Sequence, residues 1–265
     1  MYCSAHAAIM THLCKRLAFS VYPILNIAAY RFVDIAEASE LRASLHSKTD
    51  ALALKGTILV APEGLNLALA GAPESVRAFF DDLQRDARFA GLTLKESWSA
   101  EVPFARLKVK LKREIIAFRR DGVDPLKAPA PSVAPPTLAR WLAQGHDDEG
   151  KRVVMLDTRN REEVALGTFD GALCLPITQF VQLPEALEPQ REALANATVV
   201  SFCTGGIRCE KAAPWLRAKG FGDVRQLEGG ILAYFDQVGA AGYTGGCFVF
   251  DERLALGPTL LPVTP

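Results

Sequence analysis

The sequence contains no C-x-x-C pair. Its six cysteines, Cys3, Cys14, Cys174, Cys203, Cys209 and Cys247, are scattered. That spacing speaks against a structural zinc site and, at this length, against a secreted disulfide framework. The thiols read as free, in a reducing compartment, and the chain as cytoplasmic. Charge of either sign is not in excess, since 30 Lys and Arg balance 30 Asp and Glu. Global charge thus signals neither nucleic acid nor membrane, and any such signal must be local. A bilayer-spanning run of about 20 apolar residues is also missing. The N-terminal "MYCSAHAAIMTHLCKRLAFSVYPIL" sets Lys15 and Arg16 before a short apolar run, a loose match to a secretory signal. The plainer reading is an unassigned extension over 1–23. No flavin or haem motif and no iron site is evident, so neither cofactor nor metal is expected, and no obligate protein partner is indicated.

What is present is an ordinary globular composition, with 49% apolar and 23% charged residues over 265 positions, enough for two compact domains. The stretch "DGVDPLKAPAPSVAPP", 121–136, holds five prolines. It reads as an extended, semi-rigid linker. Before it, strand-like 24–32, helical 36–53, strands 56–61 and 63–71, helical 73–86 and strands through "LTLKESW" and "RLKVKLKREIIAF" follow in order. The order β-α-β-β-α-β with an added strand predicts a ferredoxin-like α+β domain over 24–120. After the linker, helices alternate with continuous apolar strands such as "RVVMLD" and "ATVVSF". That alternation predicts a parallel-sheet α/β domain over 137–256, with a tail over 257–265.

"ATVVSF" runs directly into "CTGGIRCEK", 203–211. Ligands of parallel sheets bind beyond the carboxyl ends of the strands, and Cys203 follows one of those ends. Gly205 and Gly206 let the backbone curl its N–H groups inward. Arg208 adds a fixed positive charge near the start of the next helix. These features favour a thiolate at Cys203 over an inert buried thiol. Cys209 has two readings: a thiol that resolves Cys203 chemistry as a disulfide, or a buried helix residue. Cys174 and Cys247 read as core residues. No His or carboxylate close in sequence offers itself as a general base.

This half resembles the rhodanese family, whose short active-site loop starts with Cys and ends near Arg. "VVMLDTRNREEVALGTFDGAL" at 153–173 looks like its first signature and "LEGGI" at 227–231 like its closing turn. The resemblance implies Cys203 as a persulfide carrier with Arg208 beside it, in a loop of Thr204, Gly205, Gly206 and Ile207. It also implies that Asp157 and Arg159 help hold that loop; otherwise they form a surface ion pair. The related cysteine phosphatases use Cys-x5-Arg, whereas Cys209 occupies that Arg position here, so the smaller ring disfavours phosphoester chemistry.

In "RLKVKLKR", Arg106, Lys108, Lys110 and Lys112 alternate with Leu107, Val109 and Leu111. A strand puts the four cations on one face, and Arg113 extends the patch. Such a face either tracks phosphates or is a solvated edge that resists aggregation. No aromatic residue interleaves the cations, so base stacking is not implied there. "GTILVAPEGLNLALAG", "LKVKLKREIIAF", "SFCTGGIRCEKAA" and "CFVFDERLAL", in that order, make the chain similar to the rhodanese-containing tRNA uridine hydroxylases from about 25 to 256. The resemblance implies tRNA as the partner and oxygen-dependent formation of 5-hydroxyuridine at the wobble position. Molecular oxygen is then co-substrate, with an unassigned electron donor, and Cys203 the required cysteine. A plain sulfurtransferase passing persulfide sulfur from Cys203 to a thiol acceptor is the alternative, and a non-catalytic RNA-binding protein a third. Longer members carry a cysteine-rich tail; with only Cys247 in this region, no zinc from such a tail is expected.

Overall fold

Alternating side chains build the first sheet. The computed structural model describes residues 22–263, so Cys3, Cys14 and nearly all of the N-terminal extension lie outside the described residues. Strand β1 (Ile24–Phe32) leads through helix α1 (Ala38–Ala51) to β2 (Lys55–Ala61), β3 (Gly64–Gly71), helix α2 (Pro73–Gln84), β4 (Lys95–Ser99) and β5 (Leu107–Leu111). The sheet order is β4-β1-β3-β2-β5. All pairs are antiparallel except β2 with β5. Leu25, Ile27, Leu65, Leu67, Ile58 and Val60 point to one face, with the buried side chains of α2 in the same core. On α2 these are Val76, Phe79, Phe80 and Leu83, the spacing of a single helix face.

The opposite face of this sheet is small and polar. Registered pairing sets Lys95, Ala28, Ala68, Thr57 and Lys108 in one row across the five strands. Tyr30, Asn66, Leu59 and Lys110 form the next row. The strand expected through residue 118 stops at Leu111. Beyond it, Phe118 leaves the first sheet and enters a core of the second domain, stacked on Phe180 at 4.8 Å. In "REIIAF", Ile116 and Phe118 therefore serve packing between halves rather than strand alternation.

The proline-rich segment is not wholly an extended linker. It contains turns and the short strand β6 (Ser132–Val133), and helix α3 (Pro135–Gln144) starts within it. Then come β7 (Val153–Asp157), α4 (Arg161–Val164), β8 (Gly167–Phe169), β9 (Leu173–Cys174), α5 (Leu183–Leu187), α6 (Arg191–Leu194) and β10 (Thr198–Phe202). Helix α7 (Ile207–Ala218), β11 (Asp223–Leu227) and α8 (Gly230–Gln237) complete the parallel sheet, ordered β6-β11-β10-β7-β9. Helices cover both faces: Trp141, Ile231 and Phe235 share one core with Met155 and Phe202, and Leu183, Leu194 and Leu216 share the other with Leu156 and Val199. Two-sided burial is why β7 and β10 are continuously apolar in sequence.

Two short ladders have no alternation signal. β8 pairs with β12 (Tyr243–Gly245), and β13 (Cys247–Phe248) pairs with β14 (Ala255–Leu256). The β13–β14 turn reaches back to the first domain, where Arg253 Nη1 donates to Ser97 Oγ at 2.8 Å. Among the described residues no helix is long and apolar enough to cross a membrane.

Candidate active site

Cys203 follows the carboxyl end of the central strand β10, and the loop it opens ends in α7. Gly206 N–H donates to Cys203 Sγ at 3.1 Å. Gly206 has φ +98°, and a Cβ there would sit 2.8 Å from the Tyr30 hydroxyl, so only glycine closes this turn without strain. The start of α8 supports the loop from the other side. Ile231 N–H donates to the Cys203 carbonyl at 3.0 Å and Leu232 N–H to the Thr204 carbonyl at 3.1 Å. A Cβ on Gly230 would lie 2.5 Å from the Cys203 carbonyl, which explains the second glycine of "LEGGI".

Burial alone would push the Cys203 thiol up. The Cys209 thiol, the Arg208 charge and the backbone N–H groups of Arg208 and Gly206 outweigh it and bring it down to about 5. Cys209 is itself fully buried and is pushed well above the ordinary thiol range by burial and by its bond to Cys203. It therefore holds its proton and donates it to the neighbouring sulfur. Cys209 is thus a buried helix residue whose thiol also meets the Cys203 sulfur. Cys247 is buried and pushed up to about 12 by burial. Cys174, expected in the core, is exposed, because β9 is the sheet edge.

The Arg208 guanidinium is engaged elsewhere than the sequence suggests. Nη1 and Nη2 donate to the two Glu163 oxygens at 2.6 and 2.7 Å, and both side chains are buried. Glu163, in α4, also accepts the Asn160 N–H at 3.1 Å. Sequence reasoning missed this carboxylate, whose one signal is its place in the first turn of the helix after "VVMLD". Asp157 and Arg159 are not a surface pair: both are fully buried, 2.6 Å apart. Arg159 also donates to the Gly167 carbonyl at 2.7 Å, and Thr168 to Asp157 at 2.8 Å, so the pair braces β8. Thr158 between them carries the link to the loop. Its N–H and hydroxyl donate to the Phe202 carbonyl at 3.0 and 2.9 Å, and the hydroxyl lies 3.8 Å from Cys209 Sγ.

The first domain closes over this loop with residues the sequence did not announce. The Tyr30 hydroxyl donates to Glu210 Oε1 at 3.1 Å, and Gln226 Nε2 to Glu210 Oε2 at 3.1 Å. Burial, then the charges of Glu210 and Cys203, push Tyr30 upward, so it remains a donor. Lys95 Nζ lies 5.2 Å over the Tyr30 ring, and its stem passes 3.6 Å from where a Cβ on Gly205 would stand. Burial lowers Lys95, against the opposing pull of Cys203 and Glu210. Together these groups line a cleft of about 1680 Å³ that runs between the open sheet face and the Cys203 loop.

The basic stretch occupies the far edge of the same sheet face. Arg106, Lys110, Lys112 and Arg113 are exposed and Lys108 is half-buried, while Val109 is in the core. The alternation expected of Lys108 and Lys110 is present, on an edge strand. Among the described residues no cluster of three or more His, Cys, Asp or Glu side chains is placed to hold a metal ion.

An anionic cysteine at a strand end, cradled by N–H groups and roofed by a ferredoxin-like domain, is the arrangement of a rhodanese-like domain with an acylphosphatase-like partner. Residues 138–237 match the rhodanese-like domain, and residues 24–115 the UPF0176 acylphosphatase-like domain. Over 240 residues the chain is 60% identical to the tRNA uridine(34) hydroxylase of Xanthomonas campestris pv. campestris, covering 91% of this chain and 95% of that one. The protein of the same description from Xylella fastidiosa is 55% identical over 240 residues, 91% of this chain and 93% of that one. A solved human single-domain sulfurtransferase is 29% identical over 41% of this chain and 97% of that one, with a TM-score of 0.34. The chain belongs to the tRNA uridine(34) hydroxylase family.

Proposed function

We propose that the protein hydroxylates carbon 5 of uridine 34 in tRNA, with Cys203 as the reactive group, in the cytoplasm. The observation that carries this reading is the Cys203 sulfur, held as an anion and opening onto a cleft that both domains line. A nucleophile poised in this way can add to carbon 6 of a uracil or carry a persulfide. Net hydroxylation by an oxygen-dependent monooxygenase route puts one oxygen atom on carbon 5. The other leaves as water, with two electrons and two protons from a donor. Arg208 and Cys209 hold the sulfur anionic, and Thr204, Gly205, Gly206 and Ile207 shape its loop. Asp157 and Arg159 support the loop through Thr158. Arg106, Lys108, Lys110, Lys112 and Arg113 hold RNA phosphates.

Sulfur transfer from Cys203 to a thiol acceptor uses the same loop. The cleft of about 1680 Å³, lined by both domains, favours a substrate larger than a small thiol. Nucleoside mass spectrometry of tRNA from a deletion strain tests the assignment. Complementation with the wild type restores 5-hydroxyuridine and with Cys203→Ser does not; survival of the nucleoside in the Cys203→Ser strain would end it.

A further inference from the structure

Phe250 has no place in the chemistry described so far, and its setting is unusual. Its side chain is 67% exposed, the most exposed large apolar residue among those described. It nevertheless lines the same cleft as the Cys203 loop. Cys203 is fully buried at the floor, so the exposed ring belongs to the mouth.

The ring is held in place by its surroundings. It meets the Phe248 ring edge-on at 4.9 Å, and the Arg208 guanidinium carbon lies 5.8 Å from its centroid. The turn that carries it is braced from within by Val249 N–H donating to the Leu254 carbonyl at 2.9 Å and by Arg253 on Asp251 at 2.6 Å. It is braced from the first domain by Ser97 and by the Pro103 carbonyl, which accepts the Glu252 N–H at 3.1 Å. A rigid aromatic ring presented to solvent at a cleft mouth gains nothing from the core. It offers an open π-face, with the cations Arg208 and Lys95 in the same cleft.

Proteins that take single-stranded or looped RNA use such a face. Unstacked bases lie on aromatic side chains while cations hold the backbone, and every base has a π-face to offer. We propose that Phe250 is the stacking platform for the nucleobase adjacent to the target uridine, holding the loop open while the target descends to Cys203. This inference rests on the tRNA reading of the site. The adjacent base, rather than the target, follows from the contrast between an exposed ring and a fully buried sulfur.

The test needs no turnover. Anticodon stem-loop RNAs carry the fluorescent base 2-aminopurine on either side of the target uridine, and the full chain is titrated against them. With the wild type, fluorescence at one of the two positions is quenched by stacking. Phe250→Ala abolishes that quenching and weakens the dissociation constant between about fivefold and about 150-fold. Phe250→Tyr keeps both, and Phe250→Leu, apolar but not aromatic, keeps neither. Unchanged quenching and affinity in Phe250→Ala, or full rescue by Phe250→Leu, overturns the proposal. The former result would instead make the ring part of a protein-docking patch with Leu254. Wild-type protein that binds none of these RNAs overturns the tRNA reading itself, and the stacking proposal with it.

Discussion

Two buried sulfurs, Cys203 and Cys209, share one proton, and their opposite tendencies define the site at the scale of residues. Removing the donor in Cys209→Ala moves the Cys203 ionisation upward from about 5, which the pH dependence of thiolate ultraviolet absorbance reads directly. The linked stability has a definite sign. The folded-state thiol lies below the unfolded value of about 8.5, so the thiolate stabilises fully above that pH and loses its contribution as pH falls through about 5. Urea unfolding of wild type and Cys203→Ser should therefore converge in midpoint on acidification across this window. Cys203, the glycines and Arg208 were legible in sequence because they are contiguous and follow a buried strand. Glu163 was not, because an ion pair spanning 45 residues leaves no local spacing to read.

At the scale of elements, the short helix α4 matters out of proportion to its length, since it carries the only carboxylate that hydrogen-bonds the buried Arg208 guanidinium among the described residues. Glu163→Ala leaves that buried cation without its hydrogen-bonded carboxylate, a loss of about 3–5 kcal/mol. It should show as a lowered urea midpoint at unchanged m-value. Strand β5 makes the complementary case. Replacing Lys108, Lys110 and Lys112 by Glu should weaken tRNA binding uniformly and flatten its salt dependence, the slope falling by about one for every phosphate left without its cation. An unaltered slope would leave β5 as a solvated edge. The periodicity of β5 was visible in sequence, but its end at Leu111 was not. Ile116 and Phe118 keep the apolar pattern going for a different purpose, packing beyond the first sheet.

For the whole molecule, the two halves are separable in sequence and interlocked in space. Lys211 on α7 donates to Glu63 at 2.8 Å and Glu114 at 2.7 Å, and Phe118 is buried in the second domain. Lys211→Ala leaves two carboxylates of the first domain facing a hole. Thermal unfolding should then split into two transitions, with 5-hydroxyuridine formation lost although Cys203 remains an anion. Which domains are present could be read from pattern; how they dock could not, because Tyr30, Lys95 and Arg253 carry no motif. The row from Lys95 through Ala28, Ala68 and Thr57 to Lys108 has one more consequence. Four strand spacings set its ends about 19 Å apart, with the cysteine at one end and the basic ridge at the other. The sheet is thus a ruler. An RNA too short to span it can reach the sulfur or the ridge but not both, and when it binds at the sulfur its affinity should depend on salt less steeply than that of a whole tRNA, which reaches both.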